Sequence, residues 1–120
     1  MERYLLGNIE QRFAEIVWNH EPLPISELIR ICELELSWKR TTTYTVLKKM
    51  RDRGLFVNEN GIVKALVSRE EFLSLQSEDY IKRSFDGSLP GFLAAFTSRK
   101  KLDEKEILEL QKIIDENRKR

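Results

Sequence analysis

The sequence predicts a mainly α-helical protein that contains one small β-hairpin. Three observations support this fold class. Three amphipathic helical segments come first, two short apolar runs separated by Asn-Gly follow, and three more helical segments with apolar stripes complete the 120 residues. This order is typical of a winged helix-turn-helix followed by a helical dimerisation region. We expect the boundary after residue 68, which gives domains 1–68 and 69–120.

Apolar residues at helical spacing predict the first three helices. They run from Ile9 to Asn19, from Ile25 to Leu34 and from Arg40 to Arg53. Asn8 is the expected cap of the first helix, and Gln11 completes a capping box. The two prolines in Glu21–Pro24 predict a turn, because proline cannot continue a helix. Gly54 stands where a left-handed C-terminal cap of the third helix is expected.

A compact hairpin is predicted after the third helix. The runs Leu55–Val57 and Ile62–Val67 are typical of strands, and Asn60-Gly61 between them is a strong hairpin signal. Three further helices then begin at capping residues, which are Ser68, Ser88 and Asp103. We expect them to run from Arg69 to about Ser84, from Leu89 to Phe96 or Thr97, and from Asp103 towards the end of the chain.

The third helix concentrates positive charge. Residues 39–53 carry six basic side chains and one acid, a net charge of +5, whereas the whole chain carries +1. An inward stripe of Thr43, Val46, Leu47 and Met50 leaves hydroxyls and basic groups on the opposite face, and these can contact phosphates and base edges. Charge alone also fits a solvated helix face. We predict DNA binding by Lys39, Arg40, Thr41, Thr42, Tyr44, Thr45, Lys48 and Lys49, and leave Arg51 and Arg53 open, since either could cover the end of the helix.

The second half of the chain predicts a dimer. About 50 residues rarely support an independent core, so the apolar stripes of its helices need a partner. A second copy would supply one and would also double the recognition helices, as a symmetric operator requires. The alternative is a monomer whose helices fold back on the first half. The predicted dimerisation residues are Phe92, Phe96, Ile107, Leu110 and Ile114.

Catalytic motifs are absent from the sequence. It has no glycine-rich phosphate loop, no nucleophile elbow and no Cys/His spacing typical of metal ligands. We therefore predict a protein that is not an enzyme and that needs no metal or cofactor. His20 is expected to be exposed at a helix end, and Cys32 to be a small core residue.

Cysteine content and hydropathy indicate the cellular compartment of the protein. A single cysteine excludes an internal disulfide and fits a reducing cytoplasm. No apolar run approaches the roughly 18 residues that span a membrane. We expect a cytoplasmic protein without direct membrane insertion.

Several motifs resemble one known family. Trp38, Thr42, Thr45, Leu47 and Arg53-Gly54 resemble the recognition-helix signature of the penicillinase repressor family, the BlaI/MecI/CopY-type winged-helix transcriptional repressors. Similar runs continue through the wing-to-linker junction and the dimerisation helices, at residues 67–72, 85–89, 94–96 and 102–110. The resemblance implies a homodimer that represses transcription from a palindromic operator in double-stranded DNA.

The resemblance also bears on regulation. In antibiotic-responsive members, a membrane sensor-protease triggers cleavage before a phenylalanine that matches Phe96, which implies a cleavage site between Ala95 and Phe96. The family usually has asparagine in place of Ala95. Copper-responsive members carry a cysteine-rich C-terminal motif, and no cysteine follows Cys32 here. Lys39-Arg40 replaces the usual Ser-Pro at the start of the recognition helix.

These observations together predict a homodimeric, sequence-specific repressor of a penicillinase or resistance-type operon, relieved when the dimer is inactivated. Two alternatives share the fold. One is a protein-interaction module that does not bind DNA, and the other is a regulator that senses a small molecule.

Overall fold

A computed structural model describes residues 4–120 of the chain. It divides into two compact units, and the division falls between Asp79 and Tyr80, inside one helix. The predicted boundary after residue 68, between a DNA-binding domain and a dimerisation domain, stays a prediction.

The first unit has six complete elements and most of a seventh. These are α1 (Asn8–His20), β1 (Leu23–Pro24), α2 (Ile25–Leu36), α3 (Arg40–Asp52), β2 (Phe56–Glu59), β3 (Ile62–Ala65) and α4 (Arg69–Ser84). The second unit contains the end of α4, then α5 (Leu89–Thr97) and α6 (Glu104–Arg118). The mainly helical winged helix-turn-helix predicted from the sequence is confirmed. None of the described helices is long and apolar enough to cross a membrane.

The start of α1 differs from the prediction. Asn8 is the first helical residue and Gly7 is the N-cap. Glu10 Oε1 accepts a hydrogen bond from the Gly7 amide at 3.1 Å, so Glu10 takes the part expected of Gln11. A carboxylate in the first turn also interacts favourably with the positive end of the helix dipole, whereas a neutral glutamine does not.

The sheet has one strand more than the predicted hairpin. Its order is β1-β3-β2, all antiparallel, with Leu23 opposite Val63 and Pro24 opposite Ile62. Proline is tolerated at such an edge, because an edge strand can lack one donor. A two-residue strand is too short to show any periodicity, so the sequence suggested only a turn there.

The hairpin itself forms as predicted. Asn60 and Gly61 connect β2 to β3 with φ values of 52° and 84°. Left-handed values at both positions are those of the type I′ turn that Asn-Gly favours.

A glycine-dependent cap ends α3 and starts the wing. Gly54 has φ of 80°, the Leu55 amide donates to Met50 O at 3.0 Å, and the Gly54 amide donates to Arg51 O at 2.9 Å. This is the Schellman pattern, so the predicted glycine cap is confirmed. Because the Leu55 amide is used in the cap, β2 begins one residue later than predicted.

The core of the first unit lies between α1, α2, α3, the sheet and the start of α4. Trp18 packs against two of its rings, with centroid distances of 5.6 Å to Phe56 and 5.3 Å to Phe72. Phe72 is fully buried, so the first turn of α4 packs in this core. The largest fully buried side chains are Phe13, Val17, Leu28, Met50, Leu55, Phe56, Val63 and Phe72.

The second unit packs around aromatic rings. Phe85 and Phe92 meet edge to face with centroids 5.5 Å apart, and Tyr80 and Phe96 each contact Phe92. Ser88 Oγ caps α5 and Asp103 Oδ1 caps α6, as predicted. No side chain of α5 or α6 is fully buried, so these helices keep apolar surface in contact with solvent.

Candidate DNA-binding interface

The third helix is anchored by a narrow buried stripe. Thr43, Leu47 and Met50 are buried, and Val46 is half-buried beside them. Their spacing of three and four residues places them on one side of an α-helix. The opposite side is therefore turned to solvent along the whole length of α3.

Nearly all the residues predicted to bind DNA lie on that solvent side. Thr42 is half-buried at its edge, and Tyr44 is 40% exposed although it is aromatic. We call the set the outer face of α3; its members are Lys39, Arg40, Thr41, Thr42, Tyr44, Thr45, Lys48 and Lys49. All of them except Thr42 are exposed, and their contact with DNA stays a prediction.

Four cations of the outer face are unpaired. Within residues 4–120, Lys39, Arg40, Lys48 and Lys49 form no ion pair. The first turn of α3 contains no acidic side chain. The N-terminus of α3 is the positive end of the helix dipole, so the basic side chains there are electrostatically unfavourable for the helix.

The two arginines left open by the sequence differ in position. Arg53 turns inward: its Nη1 lies 3.5 Å from Glu10 Oε1 on α1, and its side chain is only 11% exposed. Arg51 stays exposed and pairs with Asp52 at 3.4 Å. Arg53 therefore holds α3 against α1, and Arg51 remains near the surface that faces the wing.

Two side-chain interactions lie within the outer face. The Cζ atom of Arg40 lies over the Tyr44 ring, 5.8 Å from its centroid. Thr45 Oγ1 donates to Thr41 O at 2.9 Å. The Thr45 hydroxyl hydrogen is thus engaged in its own helix, and its methyl group is the part left for an apolar contact. Sequence reasoning selected these residues but not the contacts between them.

The wing is short and nearly neutral. Lys64 is the only basic residue in 56–65, and its Nζ lies 3.3 Å from Glu59 Oε1. Asn58 Oδ1 accepts a hydrogen bond from the Gly61 amide at 2.9 Å, which fixes the amide group beside the turn. A shallow depression of about 270 Å³ separates the wing from α3 and is lined by Tyr44, Leu47, Lys48, Arg51 and Asn58.

Contacts distant in sequence hold the wing in place, and sequence reasoning missed them. The Ala65 amide donates to Glu21 Oε1 at 2.9 Å. The Ile25 amide, at the start of α2, donates to Gly61 O at 2.8 Å. Glu21 belongs to the segment read only as a turn, and no local pattern signals a partner more than thirty residues away.

Cys32 and His20, which the sequence predicts to be neither catalytic nor metal-binding, occupy ordinary structural positions. Cys32 is fully buried, and burial raises the pKa of its thiol, so the thiol stays protonated. His20 is exposed at the end of α1, where its Nδ1 donates to Ile16 O at 2.8 Å. Among the described residues, no cluster of His, Cys, Asp and Glu has the arrangement of a metal site.

The predicted dimerisation residues fall into two groups. Phe92, Phe96 and Leu110 line an open groove of about 310 Å³ between α5 and α6. Ile107 and Ile114 are seven residues apart on one side of α6 and do not line the groove; they are 43% and 49% exposed. Ala95 and Phe96, the predicted cleavage pair, are exposed near the end of α5.

Comparison with known proteins identifies the family. A family model described as penicillinase repressor matches residues 6–116. The chain belongs to the penicillinase repressor family. The resemblance seen in the sequence is therefore confirmed, and so is the prediction of a non-enzyme, since the family consists of regulatory DNA-binding proteins.

Two relatives of this family match over nearly their whole length. The chain is 22% identical over 119 residues to the penicillinase repressor of Bacillus licheniformis, covering 96% of this chain and 93% of the relative. It is 21% identical over 116 residues to the methicillin resistance regulatory protein MecI of Staphylococcus aureus, covering 93% and 94% respectively.

Proposed function

We propose that the chain is a homodimeric, sequence-specific transcriptional repressor that binds a palindromic operator of a penicillinase or resistance-type operon in the cytoplasm. The outer face of α3 is the observation that carries this proposal. It combines four unpaired cations with exposed hydroxyl groups, on a helix that a buried stripe fixes in a winged helix-turn-helix. Unpaired Lys and Arg displace the counterions of DNA, and hydroxyl and methyl groups contact bases in the major groove.

Each part of the outer face has its own role in the proposal. Thr41, Thr42, Tyr44 and Thr45 face the major groove, where the Thr45 methyl is free to touch a thymine methyl group. Lys39, Lys48 and Lys49 hold phosphates, and Arg40 holds a phosphate or a guanine edge. Because the wing carries one paired lysine, α3 supplies most of the electrostatic attraction.

The second unit supplies the dimer in this proposal. Phe96, Ile107 and Ile114 are 43–49% exposed, so α5 and α6 present apolar surface that a protein partner can cover. A second copy that covers them, together with Phe92 and Leu110, removes this surface from water. Two α3 helices per dimer then match the two half-sites of a palindrome.

Relief of repression would act on the same surface. A membrane sensor-protease that triggers cleavage between Ala95 and Phe96 would cut the edge of the α5–α6 groove. Loss of the dimer removes the high effective concentration at which the second half-site is bound, so affinity falls far more than twofold.

Fluorescence anisotropy with DNA from upstream of the protein's own gene tests the proposal. We expect a Kd of about 10⁻⁸ M or lower and a steep decrease of affinity with salt. Scrambled DNA of the same length and composition is the control. Equal binding to both duplexes would contradict a sequence-specific repressor, and no binding to either would favour the protein-interaction module. A thermal-shift screen with antibiotics and metal salts, in which we expect no stabilisation, tests the small-molecule alternative.

A further inference from the structure

The Arg40 guanidinium lies over the Tyr44 ring on the outer face of α3. Arg40 and Tyr44 are four residues apart, which places them on neighbouring positions of the helix surface. The distance of 5.8 Å between Arg40 Cζ and the Tyr44 centroid is within the range of a cation–π contact. Both side chains are exposed, so the contact restricts the Arg40 guanidinium without removing it from solvent.

Among residues 4–120, the Arg40 guanidinium has no hydrogen-bond partner, unlike those of Arg12, Arg30, Arg53 and Arg69. Within the described residues Arg40 forms no ion pair, whereas Arg30, Arg51, Arg53 and Arg69 each lie beside a carboxylate. The aromatic ring offers these donors no oxygen or nitrogen acceptor, so they remain available to a base edge. The pair therefore presents a planar donor fork with a restricted orientation.

Helix stability does not explain this placement. Arg40 is the first residue of α3, its neighbour Lys39 is the N-cap, and the first turn contains no acid. Positive charge at this end opposes the helix dipole. A departure from local helix preferences at an exposed position is expected where the side chain serves recognition.

We propose that Arg40, oriented by Tyr44, recognises one guanine in each operator half-site by donating two hydrogen bonds to O6 and N7. This inference rests on the proposed function. Guanine fits because its two major-groove acceptors match the fork, whereas adenine presents a donor beside N7. The first turn of a recognition helix is also the part that contacts base edges. Within the described part of the chain, Lys39 makes no cation–π contact, and it contributes charge alone.

Modified bases test the proposal directly. Duplexes are first selected from a random library with the wild-type full-length chain. Each guanine of the selected site is then replaced in turn by 7-deazaguanine, which lacks the N7 acceptor, or by inosine, which keeps both major-groove acceptors. At one guanine per half-site, we expect 7-deazaguanine to weaken wild-type binding about tenfold and inosine to have little effect.

Four variants separate orientation from charge. Arg40→Met keeps an unbranched side chain but removes the N–H donors and the charge, so the 7-deazaguanine penalty should disappear and the salt dependence should fall. Tyr44→Phe should keep the penalty, and Tyr44→Leu, which removes the ring, should reduce it to about threefold. Lys39→Ala is the matched control, because it removes a neighbouring charge. We expect its binding to depend less on salt and to keep the full 7-deazaguanine penalty. Circular dichroism verifies that each variant is folded.

Failure of this inference is distinguishable from failure of the proposed function. If Arg40→Met shows the same penalty as the wild type at every guanine, or if the selected half-sites contain no guanine, the assignment of Arg40 is wrong although the protein still selects its DNA. If the wild type enriches no sequence from the library, the proposed function itself is wrong.

Discussion

The indole Nε1 of Trp18 donates a hydrogen bond to the carbonyl oxygen of Val67 at 3.0 Å. Trp18 lies on α1, and Val67 lies where the chain leaves the wing, two residues before α4. One side chain therefore joins the first helix to the far end of the winged fold, 49 residues later.

Substitution of Trp18 should weaken this connection. Trp18→Phe keeps an aromatic ring against Phe56 and Phe72 but leaves the Val67 carbonyl without its donor. We expect the free energy of unfolding to fall by about 1–2 kcal/mol, measured by urea denaturation. Trp38→Phe is the control, because Trp38 stacks on Phe13 with centroids 5.6 Å apart and a phenylalanine can keep that contact. Equal destabilisation by both variants would mean that the hydrogen bond contributes little.

Lys48 should contribute charge to DNA binding regardless of base sequence. Lys48→Ala is expected to weaken binding to operator and scrambled DNA by similar factors and to lower the salt-dependence exponent by about 1 for each bound copy. Anisotropy titrations at several salt concentrations measure both quantities. Lys100→Ala removes the same charge from an exposed position outside α3 and should change neither. An unchanged exponent for Lys48→Ala would mean that another face of α3 meets the DNA.

The apolar side of α6 should control self-association. Ile114→Glu places a charge on a surface that the proposed dimer buries. We therefore expect the dissociation constant of the dimer to rise at least about tenfold. Sedimentation equilibrium measures this, and operator affinity should fall in parallel.

Leu34→Glu is the matched control for that substitution. Leu34 on α2 is 71% exposed, more than Ile114, yet it lies in the first unit. It should leave the oligomeric state unchanged. A dimer that persists in Ile114→Glu and dissociates in Leu34→Glu would mean that the interface lies on the first unit, which contradicts the proposal.

Thr43 offers a stabilising substitution beneath the outer face of α3. It is fully buried, and its Oγ1 has no hydrogen-bond partner of ordinary geometry within residues 4–120; the neighbouring Cys32 thiol interacts with it only weakly. Thr43→Val keeps the shape and removes the buried hydroxyl. We expect the free energy of unfolding to rise by about 1 kcal/mol in thermal or urea denaturation. A decrease would show that the contact with Cys32 is worth more than the buried hydroxyl costs.

The sequence predicted those features whose causes are local. Ser68, Ser88 and Asp103 cap helices because each side chain bonds to an amide three residues away, and Asn60-Gly61 adopts the turn that its own backbone preferences favour. The burial pattern of α3 followed from helical periodicity in the same way.

Features set by distant contacts were not predictable. The strand β1 exists because Leu23 and Pro24 meet β3, almost forty residues later. The sequence left the role of Arg53 open, because its partner Glu10 lies on α1. The five predicted dimerisation residues share apolar character, and only the arrangement of α5 and α6 shows that they divide between a groove and a separate side of α6.

The hydrogen bond from the Ile25 amide to Gly61 O constrains how this protein can diversify. The wing turn and the start of α2 share that bond, so a longer wing loop would also disturb the helix that packs beneath α3. Lengthening the wing should therefore destabilise the first unit. Exposed side chains in the first turn of α3 can change without moving any backbone, so under the proposed function we expect changes of operator preference to arise there first.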